Sequence, residues 1–443
     1  MNASQDHSAK STALKKVLII AYYWPPAGGP GVQRWFHFVR HLPSYGIAPV
    51  VYVPENAQYP ILDHSLQEKV PQSVVLIRRP ISEPYKWVSW LFKNKTKRLS
   101  QGLIQEKSPH IVERFLRFVR GNFFIPDARV SWVAPSVTYL VKYIKAHQID
   151  TLISTGPPHS MHLIAKGLVK QNPDLKWIAD FRDPWTNIGY HPALYMMPWA
   201  KKKHIQLERD VLSRADVLLT TSFTTAEQFS QMTESAVHVL TNGYEPFSPI
   251  DAMEPQTEDP FRLVHIGSLL SKRNPTSLWK ALRTLIQEEV GFEKKLVMDF
   301  VGVVSEEVVQ SLKENGLISH CHFHGYLPHK EARMHQFKAN VLLLIEIDQA
   351  SHKGIIPGKI FEYLQANRPI LALGPDDWDI EKILPKDSKN SLCGYGDFKT
   401  MKTFLRTQFN SNAVYSNEID PSLAQYERKN ITRQLAQIIL NIP

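Results

Sequence analysis

Short apolar runs bounded by glycine, proline or charged residues recur along the chain, with helix-length stretches between them. Lys16–Ala21, Pro49–Val53, Val74–Ile77, Asp150–Ser154, Lys176–Ala179, Asp216–Thr220 and His238–Leu240 are such runs. Continuous apolarity, without alternation, marks strands covered on both faces, as in a parallel sheet. Val32–Leu42, Ser136–His147 and Tyr195–Arg214 carry helical spacing. The opening order of strand, glycine-rich loop, helix and strand predicts a right-handed βαβ unit. Ser248–Pro260, with its prolines and acids, interrupts the pattern. It then restarts with strands at Phe261–Ile266, Lys295–Val301, Cys321–His324, Asn340–Ile345 and Pro369–Leu373. The helices there are Thr276–Glu289, Glu306–Asn315 and Lys330–Lys338. The reading is an α/β chain with two doubly wound parallel sheets. A first domain spans 1–248, a linker 249–260 and a second domain 261–420, and an amphipathic helix at Pro421–Leu440 lies in the closing segment 421–443. Residues 1–14 are polar and are expected to be disordered.

Composition adds bounds. A chain of 443 residues with 43% hydrophobic content can bury two sizeable cores. Cys321 and Cys393 supply neither a disulfide framework nor metal-ligand spacing. No apolar run reaches bilayer length. Lys15-Lys16 before an apolar run imitates a signal peptide, but Trp24-Pro-Pro-Ala-Gly-Gly suits a strand ending in a tight loop. A cytoplasmic protein is therefore expected.

The net charge of +10 is concentrated: Arg78–Arg120 holds eleven Lys/Arg against three Asp/Glu. This segment forms a basic amphipathic insertion over about 78–125. Within Ile111–Arg120, helical spacing puts Ile111, Val112, Phe115, Leu116, Phe118 and Val119 on one face and Arg114, Arg117 and Arg120 on the other. Upstream, Trp87, Trp90, Leu91 and Phe92 interleave with Lys86, Lys93, Lys95 and Lys97. Aromatic and basic residues together suit the interface of an anionic membrane, with the protein peripheral at the inner face. The competing reading turns the apolar face to the protein core. Nucleic acid is not expected, because the segment lies outside any binding motif.

The most informative stretch is Lys353-Gly-Ile-Ile-Pro-Gly-Lys-Ile-Phe-Glu-Tyr-Leu364. It reads as a loop running into a helix, with Pro357 suited to the first turn. Lys359 opposes the positive end of that helix unless an anion sits in front of it. Glu362, three residues on, shares its face. A helix end, a cation for phosphate and a carboxylate for a vicinal diol together suit a nucleotide diphosphate. Gly28-Gly-Pro-Gly31 likewise follows a strand and opens a helix, where backbone N–H groups meet phosphate or sugar. Gly29-Pro-Gly-Val-Gln-Arg34 with Glu55 leaves an NAD-dependent dehydrogenase as a rival, weakened because arginine replaces the third glycine. His265–Pro275 places Gly267 at a strand end and Lys272 and Arg273 in the following loop. Ser154–His159 and Asp180–Trp185 lie at strand carboxyl ends in the first half, where open sheets bind ligands. Asp377-Trp-Asp379 is formally a metal motif, but chance supplies about one such match in a chain this long. It is read as turn and cap chemistry, and no catalytic metal is expected.

Pro357–Leu364, followed by Asn367-Arg-Pro-Ile-Leu-Ala372, resembles the donor-site segment of the family-four retaining glycosyltransferases of GT-B architecture. The resemblance extends to Tyr22–Arg34, Ser154–His159, Asp180–Trp185, Thr241–Glu245 and His265–Pro275. It implies two Rossmann-like domains facing a cleft, with the terminal helix packing back on the first. It implies transfer of a sugar from a nucleotide diphosphate sugar, which is a co-substrate; no cofactor is expected. Arg273 and Lys359 would hold the diphosphate in place of a metal, Glu362 the ribose and Tyr326 the region of the base. Gly28, Gly29, Gly267, Ile356 and Pro357 would complete the donor site. His159 and Asp183 are expected near the chemistry, and Arg34, Asp180 and Arg182 near a glycan or lipid-linked acceptor. Retention of configuration would follow a front-face route in which the leaving phosphate accepts the acceptor proton. Many relatives carry a second glutamate eight positions before the Glu362 equivalent, and Gly354 stands there in this chain. That removes a two-glutamate mechanism. A GT-B epimerase acting on the nucleotide sugar and a non-catalytic membrane-associated scaffold are the alternatives.

Overall fold

The computed structural model describes residues 14–83, 111–188, 191–247, 260–387, 389–411 and 420–442. The linker reading at 249–260, apart from Pro260, lies outside them, as do Trp87, Trp90 and their neighbouring lysines. The chain divides into two compact units. The first comprises residues 1–220, 226–240 and 431–443, and the second 221–225 and 241–430. Thr241–Phe247 therefore belongs with the second unit, although the sequence pattern assigned it to the first.

In the first unit seven strands form a wholly parallel sheet: β1 (Lys15–Ile20), β2 (Ile47–Pro54), β3 (Val75–Arg79), β4 (Thr151–Gly156), β5 (Lys176–Phe181), β6 (Val217–Thr220) and β7 (Ala236–Val239). Their order is β3-β2-β1-β4-β5-β6-β7. The chain reverses direction across the sheet between β1 and β4, so the loops leaving those strands lie side by side at their carboxyl ends. Helix Pro30–His41 buries Val32, Trp35, Phe36 and Val39, whose spacing keeps them on one face. Ile431, Leu435, Ala436 and Ile439 of the terminal helix join the cluster containing Val17, Ile19, Trp35 and Val51.

The second unit repeats the scheme with β8 (Phe261–Ile266), β9 (Leu296–Val301), β10 (Cys321–Gly325), β11 (Val341–Ile345), β12 (Ile370–Leu373) and β13 (Ser391–Cys393), all parallel. The order β10-β9-β8-β11-β12-β13 puts its reversal between β8 and β11. The short strand β13 and helix Phe398–Phe409 complete this unit, beyond the elements the pattern predicted.

Three helix readings are corrected. The expected Tyr195–Arg214 helix begins at Pro198. Tyr195 has φ 48 and Met197 is extended, so a helical ladder cannot run through them. Pro421–Leu440 is not continuous: a 3-10 turn at Pro421–Tyr426 precedes helix Arg428–Leu440. The break arises because Tyr244 bridges this segment, donating to the Tyr426 carbonyl at 3.1 Å and accepting from Arg428 N at 3.0 Å. The Ile111 helix extends to Phe123, and Arg117 turns inward to pair with Glu113 at 2.5 Å, leaving the expected basic face.

Candidate functional site

In the second unit the site residues gather where β8 and β11 end. Gly267, at φ 106, follows β8, and Lys359 Nζ donates to the Ile266 carbonyl at 2.9 Å. Lys359 is the first residue of helix Lys359–Ala366, with Gly358 as its N-cap. Pro357 thus stands one residue before the cap, not inside the first turn, and its carbonyl accepts from Ile360 N. Burial, with the Arg273 charge adding and Glu346 opposing, pushes the Lys359 ammonium down to about 7. Such a lysine gains most from an anion, which would restore its charge.

Arg273 lies in a 3-10 turn after β8, and its guanidinium meets both oxygens of buried Glu346, which directly follows β11. Glu346 also accepts from Ile347 N at 2.8 Å. Buried His265 donates from Nδ1 to the Leu343 carbonyl at 3.1 Å. Burial foremost, with the Lys359 charge, holds that imidazole well below its usual range. A neutral histidine beneath Lys359 and Arg273 keeps a third cation from accumulating there.

Glu362 faces a different neighbour. His329 contacts one carboxylate oxygen at 3.1 Å and Gln336 Nε2 donates to the other at 3.0 Å, both from helix His329–Phe337. Burial raises its pKa, but these hydrogen bonds and the His329 and Arg333 charges outweigh that and leave it lowered. The carboxylate is ionised and oriented, as a diol acceptor must be. Ile356 and Pro357 are partly buried in the preceding loop. Gly354 approaches Ser222 and Thr224, and a Cβ there would lie 3.1 Å from Ser222 Oγ. Both oxygens of Asp379 accept from Thr224 N and Oγ1 at 2.9 Å, capping helix Phe223–Ser230.

Tyr326 is 88% exposed and extends from the loop after β10. That loop is tied back through glycines: Gly302 N donates to the Gly325 carbonyl at 2.6 Å. Gly302, at φ 125, presses on Gly267 so closely that a Cβ would sit 2.5 Å from the Gly267 oxygen. Only glycine fits.

The first unit has its own cluster at the ends of β1, β4 and β5. Gly29, at φ 98, caps helix Pro30–His41, and Gly28 N bonds to the Ile61 carbonyl. Arg182 lies across Gly31, where a Cβ would collide with its guanidinium, and donates to the carbonyls of Gly156 and Pro157. It therefore joins the two loops at the sheet reversal. Asp180 is fully buried and accepts from Arg34 at 2.9 Å, Trp35 Nε1 at 2.7 Å and Thr155 Oγ1 at 2.8 Å. Arg34 is buried too and also donates to the Leu240 carbonyl. These two side chains hold the loops in place; their polar atoms are taken up within the protein, which revises the expectation of direct acceptor contact. Asp183 is exposed on the next turn.

His159 stacks flat on Trp185, with centroids 4.7 Å apart, and is buried with no partner at either ring nitrogen. Burial above all, then the neighbouring His162, His191, Arg182 and His204 charges, keeps it neutral. A buried imidazole without partners is suited to a hydrogen bond from a ligand.

Sequence reasoning missed Glu346, Gly302, His329 and Gln336. Glu346 left a signal, an acid directly following the apolar run Val341–Ile345. The other three left none, because their importance is a matter of tertiary neighbours.

No family model matches the sequence, and no curated protein matches it. Solved structures do match in fold. HepE of Anabaena in complex with UDP and glucose superposes with TM-score 0.57 at 12% identity, covering 96% of this chain and 100% of that one. WaaG, a glycosyltransferase involved in lipopolysaccharide biosynthesis, gives 0.52 at 13%, covering 96% and 100%. A UDP-N-acetylglucosamine 2-epimerase gives 0.50 at 12%, covering 96% of each chain. The two parallel sheets, their strand orders and these matches establish the GT-B type of fold, two Rossmann-like units in one chain.

Proposed function

We propose that the protein is a glycosyltransferase that takes sugar from a nucleotide diphosphate sugar bound to its second unit. The observation that carries this reading is Lys359 beside Gly267, within reach of the Arg273 charge, with oriented Glu362 on the same helix. A bound diphosphate would favour the charged form of Lys359, and that ammonium together with the Arg273 guanidinium can stabilise charge developing on the leaving group. Glu362 offers an ionised carboxylate for the ribose hydroxyls. HepE, similar in fold, was solved with UDP and with UDP-glucose, which supports a uridine nucleotide as the first donor to try.

His159 and Asp183 would serve the transferred sugar and the acceptor hydroxyl, with Arg182, Arg34 and Asp180 holding their loops. The acceptor is a lipid-linked or surface glycan, the configuration is retained, and the leaving phosphate takes the acceptor proton. Among the described residues the acid nearest the two cations, Glu346, is already engaged with Arg273, which agrees with a phosphate acting as base. No metal is required in this scheme.

A panel of nucleoside diphosphates and their sugars tests the reading, because a ligand that binds the native state raises its melting temperature. One nucleotide should stabilise the protein, and Glu362→Gln should weaken that nucleotide while sparing pyrophosphate. Absence of stabilisation by every nucleotide overturns it. The epimerase neighbour supports a second reading, which incubation with donor alone separates: an epimerase converts the free nucleotide sugar, whereas a transferase leaves it unchanged. Excess EDTA should leave transfer intact.

A further inference from the structure

A surface of the first unit combines large exposed apolar side chains with lysine and arginine. Phe115 and Phe123 of helix Ile111–Phe123 are 62% and 67% exposed, and Trp199, in the first turn of helix Pro198–Leu212, is 51% exposed. Tyr195 and Met197 are exposed between them in the chain. The two segments that carry them are in contact. The Phe123 and Trp199 rings lie 6.3 Å apart, the Phe118 and Phe123 rings 6.5 Å apart, and the Arg114 guanidinium sits over the Tyr195 ring.

The patch is held rigidly from below. Asn122 Oδ1 accepts from Met197 N at 2.8 Å, and its Nδ2 donates to the Tyr195 carbonyl at 3.2 Å. Gly121 packs so tightly on Leu194 that a Cβ would lie 2.6 Å from that carbonyl. The buried side of the helix is therefore its Gly121–Asn122 side, with Arg117 paired to Glu113. The phenylalanines face out because the inward positions are already filled.

Lys201, Lys202, Lys203 and Arg209 are exposed on the Trp199 helix, and Arg114 is exposed on the other. The acids on these two helices are committed elsewhere: Glu113 to Arg117, Glu208 buried on Thr186, and Asp210 to Lys166. Exposed rings sharing two helices with exposed cations, whose acids are engaged elsewhere, suit a partner that is apolar beneath an anionic surface, and a phospholipid bilayer has that layering. A protein partner would need an acidic rim around an apolar pocket. Among the described residues no helix is long and apolar enough to cross a membrane, so contact would be peripheral.

We propose that Phe115, Phe123, Tyr195, Met197 and Trp199, rimmed by Arg114 and Lys201–Lys203, dock the first unit on an anionic lipid surface. The proposal does not depend on the donor site, and its test uses no nucleotide. Full-length protein is sedimented with vesicles of phosphatidylglycerol and phosphatidylcholine, and with phosphatidylcholine alone. It should pellet with the anionic vesicles, less in high salt, and barely with neutral ones. Lys201→Ala/Lys202→Ala/Lys203→Ala should lower the partition coefficient by about 100-fold, from the usual contribution per cation at such a surface. Phe123→Ala/Trp199→Ala should lower it at unchanged salt dependence. The exposed lysines of the second unit serve as a charge-matched control, Lys294→Ala/Lys295→Ala/Lys313→Ala, and this variant should bind as wild type. All variants should melt within a few degrees of the parent, since the substituted side chains face solvent. Wild-type protein remaining in the supernatant, or an equal loss in the control, overturns the proposal. So does a concentration-dependent dimer that Trp199→Ala dissociates, which would assign the patch to a second copy of the chain.

Discussion

Arg273 reaches both carboxylate oxygens of Glu346 through a single guanidinium nitrogen, at 2.8 and 3.0 Å. Glu346 is buried and Arg273 is partly open, so the acid anchors the base while leaving part of the guanidinium accessible. The pair fixes a cation at the mouth of β8 and β11 and offsets the repulsion between Arg273 and Lys359.

Removing the anchor should therefore resemble removing the cation. Arg273→Ala is expected to slow sugar transfer by about 100-fold or more, the usual effect of losing a donor aimed at developing charge. Glu346→Ala should slow it by at least tenfold, and the double variant should be no slower than Arg273→Ala alone. Additive losses in a double-mutant cycle would show that Glu346 acts independently of Arg273.

Lys359 is held at about 7 in the free protein by burial and by Arg273. A bound diphosphate raises that value, because an adjacent anion favours the charged form. At pH 8 the free lysine is mostly neutral, so nucleotide binding should take up as much as about one proton. Titration calorimetry in buffers of different ionisation enthalpy measures this uptake directly. The uptake should vanish in Lys359→Met, and affinity should fall as pH rises above the free value.

The Arg34–Asp180 pair predicts a stability effect. Burial raises the Asp180 carboxyl, but the Arg34 charge and the bonds from Arg34, Trp35 and Thr155 outweigh this, leaving it lowered. Asp180→Asn would leave Arg34 buried without its counter-charge, which costs about 3–5 kcal/mol. Urea unfolding followed by circular dichroism gives the value, and a loss below about 1 kcal/mol would show that the pair is not structural.

The buried histidines set a pH dependence of stability. His159 and His162 are driven down by burial first, His162 to about 3, and His191 is held near 4. The unfolded chain binds these protons at about 6.5 while the folded chain does not. Stability should thus be full above about pH 6.5 and decline as pH falls towards 3. Each of the two fully buried imidazoles contributes about 1.4 kcal/mol per pH unit within its window. Melting temperatures between pH 7.5 and 4.5 should show the decline, and His162→Asn should flatten it.

The two-sheet architecture could be read from the apolar runs. Runs such as Val17–Ile20 and Val341–Ile345 are apolar throughout, and strands of that kind are stable only when covered on both faces by helices. Their alternation with helical segments was enough to give two doubly wound sheets. Gly267, Arg273 and Lys359, the residues proposed to meet an anion, stood out in the sequence because their pattern is local: glycine at a strand end, cation in the next loop, lysine at a helix start. Tertiary structure alone decided which polar groups serve the protein itself. Asp180 and Arg34 are 146 residues apart and become partners only because β5 passes behind helix Pro30–His41. Helix periodicity gave Ile111–Arg120 two faces but could not say which would be buried. That was settled by Gly121 and Asn122 docking on Leu194–Met197, a contact between segments some seventy residues apart, which sent Arg117 inward and Phe115 and Phe123 out. Helical spacing is fixed by the covalent chain. The choice of face depends on which neighbours can fill the space beneath it, and those neighbours come from elsewhere in the sequence.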